Sequence, residues 1–155
     1  VDLTAIPGVN ILTAHTILSE IGPDVSQFHS GGEFASWLGL CPHNKITGGK
    51  ILSTKTRRVK NRLAKAFRLA ANALFRSQSP LGDFFRRMRA KLGAPPAITA
   101  AAHKLARIIH HMLSKREAYD PSILIGNEKH FRARAEAKLR AQAKALGYTI
   151  VAAKA

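Results

Sequence analysis

The chain has 155 residues, carries 25 Lys plus Arg against 9 Asp plus Glu for a formal charge of +16, and contains one cysteine. This length accommodates one compact domain with an appendage and argues against two large ones, while the charge predicts a polyanionic partner, nucleic acid before any other. Cys41 alone can form neither an intrachain disulfide nor a thiolate zinc site, which fits a reducing cytoplasm, and no apolar run approaches the length of a membrane-spanning helix, so no membrane partner is expected.

The chain opens at Val1 with "VDLTAIPGV", already inside a structured motif and without a leader pattern, as expected of a fragment. In "LTAIPGVNILTAHTILSEIGP", Leu3 and Ile6 precede Pro7-Gly8-Val9, and Ala14, Ile17 and Leu18 then share one face of a following helix. This pattern resembles a helix-hairpin-helix, whose glycine turn lets backbone N–H groups at a helix N-terminus approach a phosphate. Gly8, Asn10 and Thr13 are the candidate DNA-backbone contacts. Asn10 stands where that motif usually has a second glycine, and it can take left-handed angles or cap the helix. The alternative is that Pro7-Gly8 turns the chain and Asn10 caps an ordinary core helix.

In "ASWLGLCPHNKITGGKILSTKTRR" a helix is predicted to end at Trp37-Leu38, with a stop at Gly39 and a bend at Cys41-Pro42. Two short arms joined by Gly48-Gly49 follow, because both positions of a two-residue hairpin turn take positive φ. Thr47 therefore has two readings: a β-branched strand residue before a tight turn, or an exposed hydroxyl with Lys45 and Lys50 nearby and Arg57 and Arg58 able to fold back. In the second reading the cations stabilise charge on a phosphoryl group as the alcohol attacks it. Spacing does not choose between the two. Ser53, Thr54 and Thr56 are expected to cap the next helix rather than attack DNA.

From Thr56, "TRRVKNRLAKAFRLAANALFRS" sets Val59, Leu63, Phe67, Ala70 and Leu74 three or four apart with cations on the other faces, predicting an amphipathic basic helix. Its run from Lys45 onward lacks nearby carboxylates, so Lys45, Lys50, Lys55, Arg57, Arg58, Lys60 and Arg62 are the expected DNA contacts. Pro80 and Gly82 interrupt the pattern, and a shorter helix is expected through Phe84, Phe85, Met88 and Leu92, closed by Gly93 and the prolines. A further helix from about Thr99 to Ser114 carries the stripe Ile98, Ala102, Leu105, Ile109 and Met112. Its His103, His110 and His111 are at spacings that do not chelate one metal, and they are expected to be partly buried or to touch phosphate. Trp37, Phe84, Phe85 and Cys41 are expected in the core. "KREAYDPSILIGN" predicts a loop with an extended piece at Ile123 to Ile125. "EKHFRARAEAKLRAQAKAL" then reads as a basic helix with a thin apolar edge (Phe131, Ala135, Leu139, Leu146), ended by Gly147.

The expected fold is all-α: a helical domain that starts with a helix-hairpin-helix-like motif, with one small hairpin or loop around Thr47 and a basic C-terminal helix. Residues 1–118 are expected to form the main domain and residues 119–155 a basic extension.

The ordered pieces "IPGV…A…ILSEIG", "F…GLCP…GGK…S…TR…NR…A…RLAA" and "RSQSPLGDFFRRMRAKLGAPPAITAAAHKLARIIHHML" resemble the C-terminal domain of the DEDD-type insertion-sequence transposases, which include Piv-like DNA invertases and RNA-bridged recombinases. The resemblance runs from about Leu3 to Tyr119. It implies a DNA-binding domain that supplies a hydroxyl nucleophile for strand exchange through a protein–DNA phosphodiester, beside a separate N-terminal RNase H-like domain that holds divalent metal. It also implies a homo-oligomer in the full-length protein, a guide RNA as a further partner, and a bacterial or archaeal nucleoid location. Apart from the resemblance, a third reading is an oligomerisation domain, for which the helix from Ile98 to Leu113 would supply the apolar face. Thr47-Gly48 falls on the family's Ser-Gly pair, and the threonine methyl is a departure that crowds in-line attack and restricts χ1. No cofactor is expected in this chain, whose scattered carboxylates suggest no two-metal site. Alone it is expected to be inactive in recombination. The rival expectation is a non-catalytic helix-hairpin-helix module that binds or scaffolds nucleic acid.

Overall fold

The structure, a computed structural model, describes residues 1–151, and of residues 123–131 the backbone alone. The described residues form six α-helices and one two-stranded sheet. They divide into a first compact unit, Val1–Tyr119, and a second that begins at Asp120.

The first unit begins with a single 3-10 turn, Leu3–Ala5, whose start is capped by the Asp2 carboxylate accepting from the Thr4 amide. Helix α1 (Ile11–Ile21) follows. Between them Pro7 and Gly8 occupy the central positions of a turn closed by the Val9 amide on the Ile6 carbonyl, 3.0 Å. Gly8 has φ +87°, the left-handed angle such a turn requires at its third residue. Of the expected helix pair, only the second member is a full helix within this chain.

Helix α2 (Gly31–Trp37) is capped by Ser30, whose Oγ accepts from the Glu33 amide, while Glu33 reaches back to the His29 amide. Strands β1 (Lys45–Thr47) and β2 (Lys50–Ser53) form the antiparallel hairpin. The next helix, α3 (Arg62–Ala73), starts six residues later than Thr56. Asn61 caps it, with its Oδ1 accepting from the Leu63 and Ala64 amides at 2.9 and 3.1 Å. Ser53, Thr54 and Thr56 therefore do not cap this helix. Thr56 bridges to Pro42, and Val59 packs so tightly against Gly39 that a Cβ there would lie 2.7 Å from a Val59 methyl. These two contacts hold the intervening chain extended, against its helical spacing.

A 3-10 turn (Leu74–Arg76) leads to α4 (Pro80–Leu92), capped by Ser79. Pro80 opens this helix rather than breaking it, since the first helical position needs no N–H. Gly82 lies inside it because a Cβ there would come within 2.1 Å of the Ser77 carbonyl. Helix α5 (Ala94–Lys115) likewise begins at Ala94-Pro95-Pro96, earlier than Thr99 and for the same reason.

Helix α5 is the centre of the unit and packs against α2, α3 and α4, while α1 packs on α3. Ala97, Ala101, Ala102, Leu105, Ala106, Ile109 and Met112 of α5 are buried and Ile98 is half-buried, so most of the stripe that would have served an oligomer contact is enclosed in the unit's own core. Leu63, Phe67 and Ala70 of α3, and Leu74 just beyond it, are buried as their spacing requires, with Phe67 edge-on to Phe34 at 6.0 Å. His110 is buried, with its Nε2 donating to the Phe28 carbonyl at 3.0 Å, and this satisfies a polar group in the core. Trp37 packs against Phe28 and Phe34 yet remains 45% exposed, and Cys41 is half-buried, so neither is a fully enclosed core residue.

The second unit is built on α6 (Ser122–Ala145). The extended piece expected at Ile123 to Ile125 is helical backbone instead. The Asp120 carboxylate accepts from both the amide and the hydroxyl of Ser122, at 2.8 and 2.7 Å, and fixes the turn from which the helix starts. Of the expected apolar edge, the Phe131 side chain lies outside the described residues, and Leu139 and Leu146 are exposed. After Leu146 the left-handed Gly147 (φ +80°) turns the chain, and the Tyr148 amide returns to the Ala143 carbonyl at 2.8 Å. No described helix is long and apolar enough to cross a membrane.

Candidate nucleic-acid interface

The hairpin positions Thr47. Gly48 and Gly49 have φ +55° and +75°, the paired left-handed angles of a two-residue turn whose twist suits antiparallel strands. A Cβ at either glycine would meet no atom within 4 Å, so the turn stands in open space. Thr47 pairs with Lys50, Ile46 with Ile51, and Lys45 with Ser53, the extra residue Leu52 forming a bulge in β2.

Because side chains alternate across a strand, Thr47 and its directly opposed partner Lys50 share one face, and Lys45 joins them two residues back. Ile46 and Ile51 take the other face and are 61% and 60% exposed. The hairpin is thus divided into a cationic, hydroxyl-bearing side and an apolar side.

Arg57 and Arg58 lie elsewhere. Pairing continues below the strands through His43, whose amide donates to the Lys55 carbonyl at 3.0 Å, to the Pro42–Thr56 bridge. Thr47 is five residues from Pro42, which puts it roughly 16 Å from the hairpin base at the usual strand rise. Arg57 follows that base and turns inward, its Nη2 donating to the Ser36 carbonyl at 3.1 Å and satisfying the C-terminal end of α2. Thr47, Lys45 and Lys50 are therefore brought together at the tip. Lys55, Arg57, Arg58 and Lys60 cluster along the base and the extended link to α3.

Arg62 is the first residue of α3, and its guanidinium lies 3.6 Å from the Glu20 carboxylate of α1. With Lys65, Leu69 and Asn72 it forms an exposed stripe, spaced three and four apart within about 80° of the helix circumference, and the exposed Arg76 follows in the 3-10 turn beyond the helix end. Lys65 and Arg76 were legible as part of this face from the same periodicity that marked the buried one.

At the first turn of α1, Asn10 Oδ1 accepts from the Thr13 amide at 2.8 Å, so Asn10 and Thr13 satisfy each other. The Ile11 and Leu12 amides in the first helical turn have no intrahelical acceptor, and their side chains are 70% and 75% exposed. Gly8 faces inward: a Cβ there would lie 2.6 Å from the Ala70 carbonyl of α3. Its lack of a side chain allows close packing of the turn on α3.

Among the described residues no three His, Cys, Asp or Glu side chains converge as metal ligands. The acidic groups with lowered pKa are local caps: Asp2, Asp24 and Asp120 are held ionised by hydrogen bonds from Thr4, Ser26 and Ser122, and Glu33 by those from His29. None of them stands beside the hairpin tip in sequence. Among the described residues no carboxylate forms an ion pair with Lys45 or Lys50, so the tip keeps its positive charge.

Several known proteins are similar in sequence to this chain. A putative transposase y4pF/y4sB of Sinorhizobium fredii is 33% identical over 127 residues, covering 76% of this chain and 32% of the relative. A probable family 20 transposase of Pseudomonas aeruginosa is 32% identical over 124 residues, 77% of this chain and 36% of the relative. The transposase for insertion sequence element IS1111A of Coxiella burnetii is 30% identical over 120 residues, 74% of this chain and 33% of the relative. The chain thus spans about a third of the length of these curated relatives. No solved structure matches. The profile of the Transposase IS116/IS110/IS902 family matches residues 2–86, more than half of the 155, and with these relatives it shows that the chain belongs to that transposase family.

Proposed function

We propose that this chain is the C-terminal, DNA-binding part of an insertion-sequence transposase and that Thr47 occupies its nucleophile position. The observation that carries the reading is the exposed hairpin tip on which Thr47 opposes Lys50 with Lys45 on the same face. In the proposed step the Thr47 Oγ1 attacks the scissile phosphorus. The Oγ1–P bond forms, one sugar oxygen leaves and takes up a proton, and the threonine hydroxyl gives up its own proton to a base. One phosphodiester replaces another, so the exchange needs no external energy source. Lys50 and Lys45 hold the non-bridging oxygens as negative charge builds on them.

Away from the tip, Lys55, Arg58 and Lys60 at the hairpin base and its link, Arg62 at the start of α3 and the first-turn amides of α1 contribute backbone contacts that position DNA without reading its sequence. Arg57 contributes by fixing the hairpin base on α2. The family resemblance assigns a divalent metal to a separate domain, where it would polarise the scissile phosphate; the residues described here form no such centre. A guide RNA, a homo-oligomer and a nucleoid location belong to the same proposal for the full-length protein.

The test traps the full-length transposase on a nicked suicide DNA and seeks a denaturant-resistant adduct. An adduct that Thr47→Ala abolishes and Thr47→Ser retains supports the assignment. An adduct indifferent to Thr47→Ala removes Thr47 from the chemistry. Absence of adduct with threonine but formation with serine identifies a binding module whose chemistry the extra methyl has stopped.

A further inference from the structure

A second chemically distinct place lies at the far end of α3. Here the chain passes through the 3-10 turn Leu74–Arg76, and Asn72, Ala73, Phe75, Arg76 and Arg89 line a cleft of about 430 Å³. Phe75 is 44% exposed, so part of its ring is open to the cleft. Its ring is held on two sides: one edge meets the buried Phe85 at 6.3 Å in a T-shaped contact, and the Arg89 guanidinium lies over it at 4.4 Å. Arg86 locks the backbone beneath, donating to the Phe75 and Ser77 carbonyls at 3.1 and 2.7 Å. The platform is therefore built before any ligand arrives, which reduces the ordering cost of binding.

We infer that this cleft is a binding site for an unpaired nucleotide, whose base stacks on the Phe75–Arg89 pair while Arg76 holds the adjoining phosphate. A ring with a guanidinium 4.4 Å from its centroid forms a surface on which any base can stack. Base faces within a duplex are already covered by their neighbours, so a surface of this kind selects nucleotides that are unpaired. Arg76 and Arg89 make no ion pair with any described carboxylate, and Asn72 places an amide at the rim for the base edge. The exposed stripe of Arg62, Lys65 and Asn72 leads along α3 to Arg76, a track for the strand's phosphates. The site requires nothing of Thr47 and stands or falls separately from it.

The experiment measures binding of the whole chain to labelled short oligo-dT, oligo-rU, an abasic strand of equal length and a duplex, at one fixed salt concentration. Phe75→Leu, which keeps an apolar contact to Phe85, is expected to weaken binding of the base-bearing single strands about ten-fold and to leave the abasic strand and the duplex unchanged. Loss confined to oligo-dT assigns the site to a displaced DNA strand, and loss confined to oligo-rU assigns it to RNA; each supports the inference. Equal loss on all four probes, or none on the single strands, overturns it. Phe75→Trp provides an independent reading free of any folding defect in the leucine variant. Oligo-dT or oligo-rU should quench the new indole where the abasic strand does not, and a failure to quench, or equal quenching by the abasic strand, overturns the inference as well.

Discussion

Thr47 and Lys50 are directly opposed in the last pair of the β1–β2 hairpin, immediately before the Gly48-Gly49 turn. Directly opposed strand residues bring their Cβ atoms to about 5 Å of each other, so an ammonium and a hydroxyl meet at one exposed place. If Lys50 stabilises the phosphoryl charge, Lys50→Ala should reduce adduct formation by roughly ten- to hundred-fold with a much smaller loss of DNA affinity. Lys50→Arg should recover part of the rate. Single-turnover trapping beside an equilibrium binding titration separates the two effects.

Binding should be strongly salt-dependent. Each phosphate neutralised lowers the slope of log K against log salt concentration by about 0.9. Lys60→Ala, on the extended link to α3, should reduce that slope by about one and weaken binding to all sequences alike. Titrations at several salt concentrations with two unrelated duplexes check both statements. A flat dependence would exclude nucleic acid as the partner.

Two glycines should behave differently although both have positive φ. Gly8→Ala places a methyl 2.6 Å from the Ala70 carbonyl at φ +87° and should destabilise the helical unit by about 2 kcal/mol or more. Gly49→Ala meets open space at φ +75°, with a backbone cost of about 1 kcal/mol. That cost falls on the hairpin, so the main denaturant midpoint should hardly change. Urea unfolding followed by circular dichroism measures both variants.

His103 on α5 should make stability fall with acid. Burial first, and the neighbouring Arg107 charge second, hold its pKa below the ordinary 6.5. The neutral ring is therefore favoured in the folded state, and the unfolded chain binds more protons in the interval between the two pKa values. This contribution is fully present above 6.5 and is lost as the pH falls through the lower folded value. Comparing urea midpoints above and below that interval for the parent and His103→Gln should show a smaller acid loss in the variant.

Much of the helical scaffold was legible in the sequence because it depends on periodicity. The buried faces of α3 and α5 followed from residues three and four apart, and the turn of the hairpin from Gly48-Gly49. The start of α5 was placed late because Pro95 and Pro96 were read as a stop, whereas they stand in its first turn, as Pro80 does in α4, where a missing N–H costs nothing. The start of α3 was misplaced because the segment before it satisfies helical spacing equally well. Contacts of Thr56 with Pro42 and of Val59 with Gly39, remote in sequence, hold that segment extended.

Charge, composition and local pattern were sufficient to mark this chain as basic and largely helical and to place Thr47 just before a tight hairpin turn, since those properties arise from near neighbours in the chain. Which cations accompany Thr47 depended on folding. Strand pairing carries Lys45 and Lys50 to the tip, while the carbonyl of Ser36, twenty-one residues away, draws Arg57 to the base. The Phe75–Arg89 platform arises in the same way, from a 3-10 turn that brings α4 back against the end of α3. Long-range packing sets such juxtapositions, and they leave no periodic trace in the order of residues.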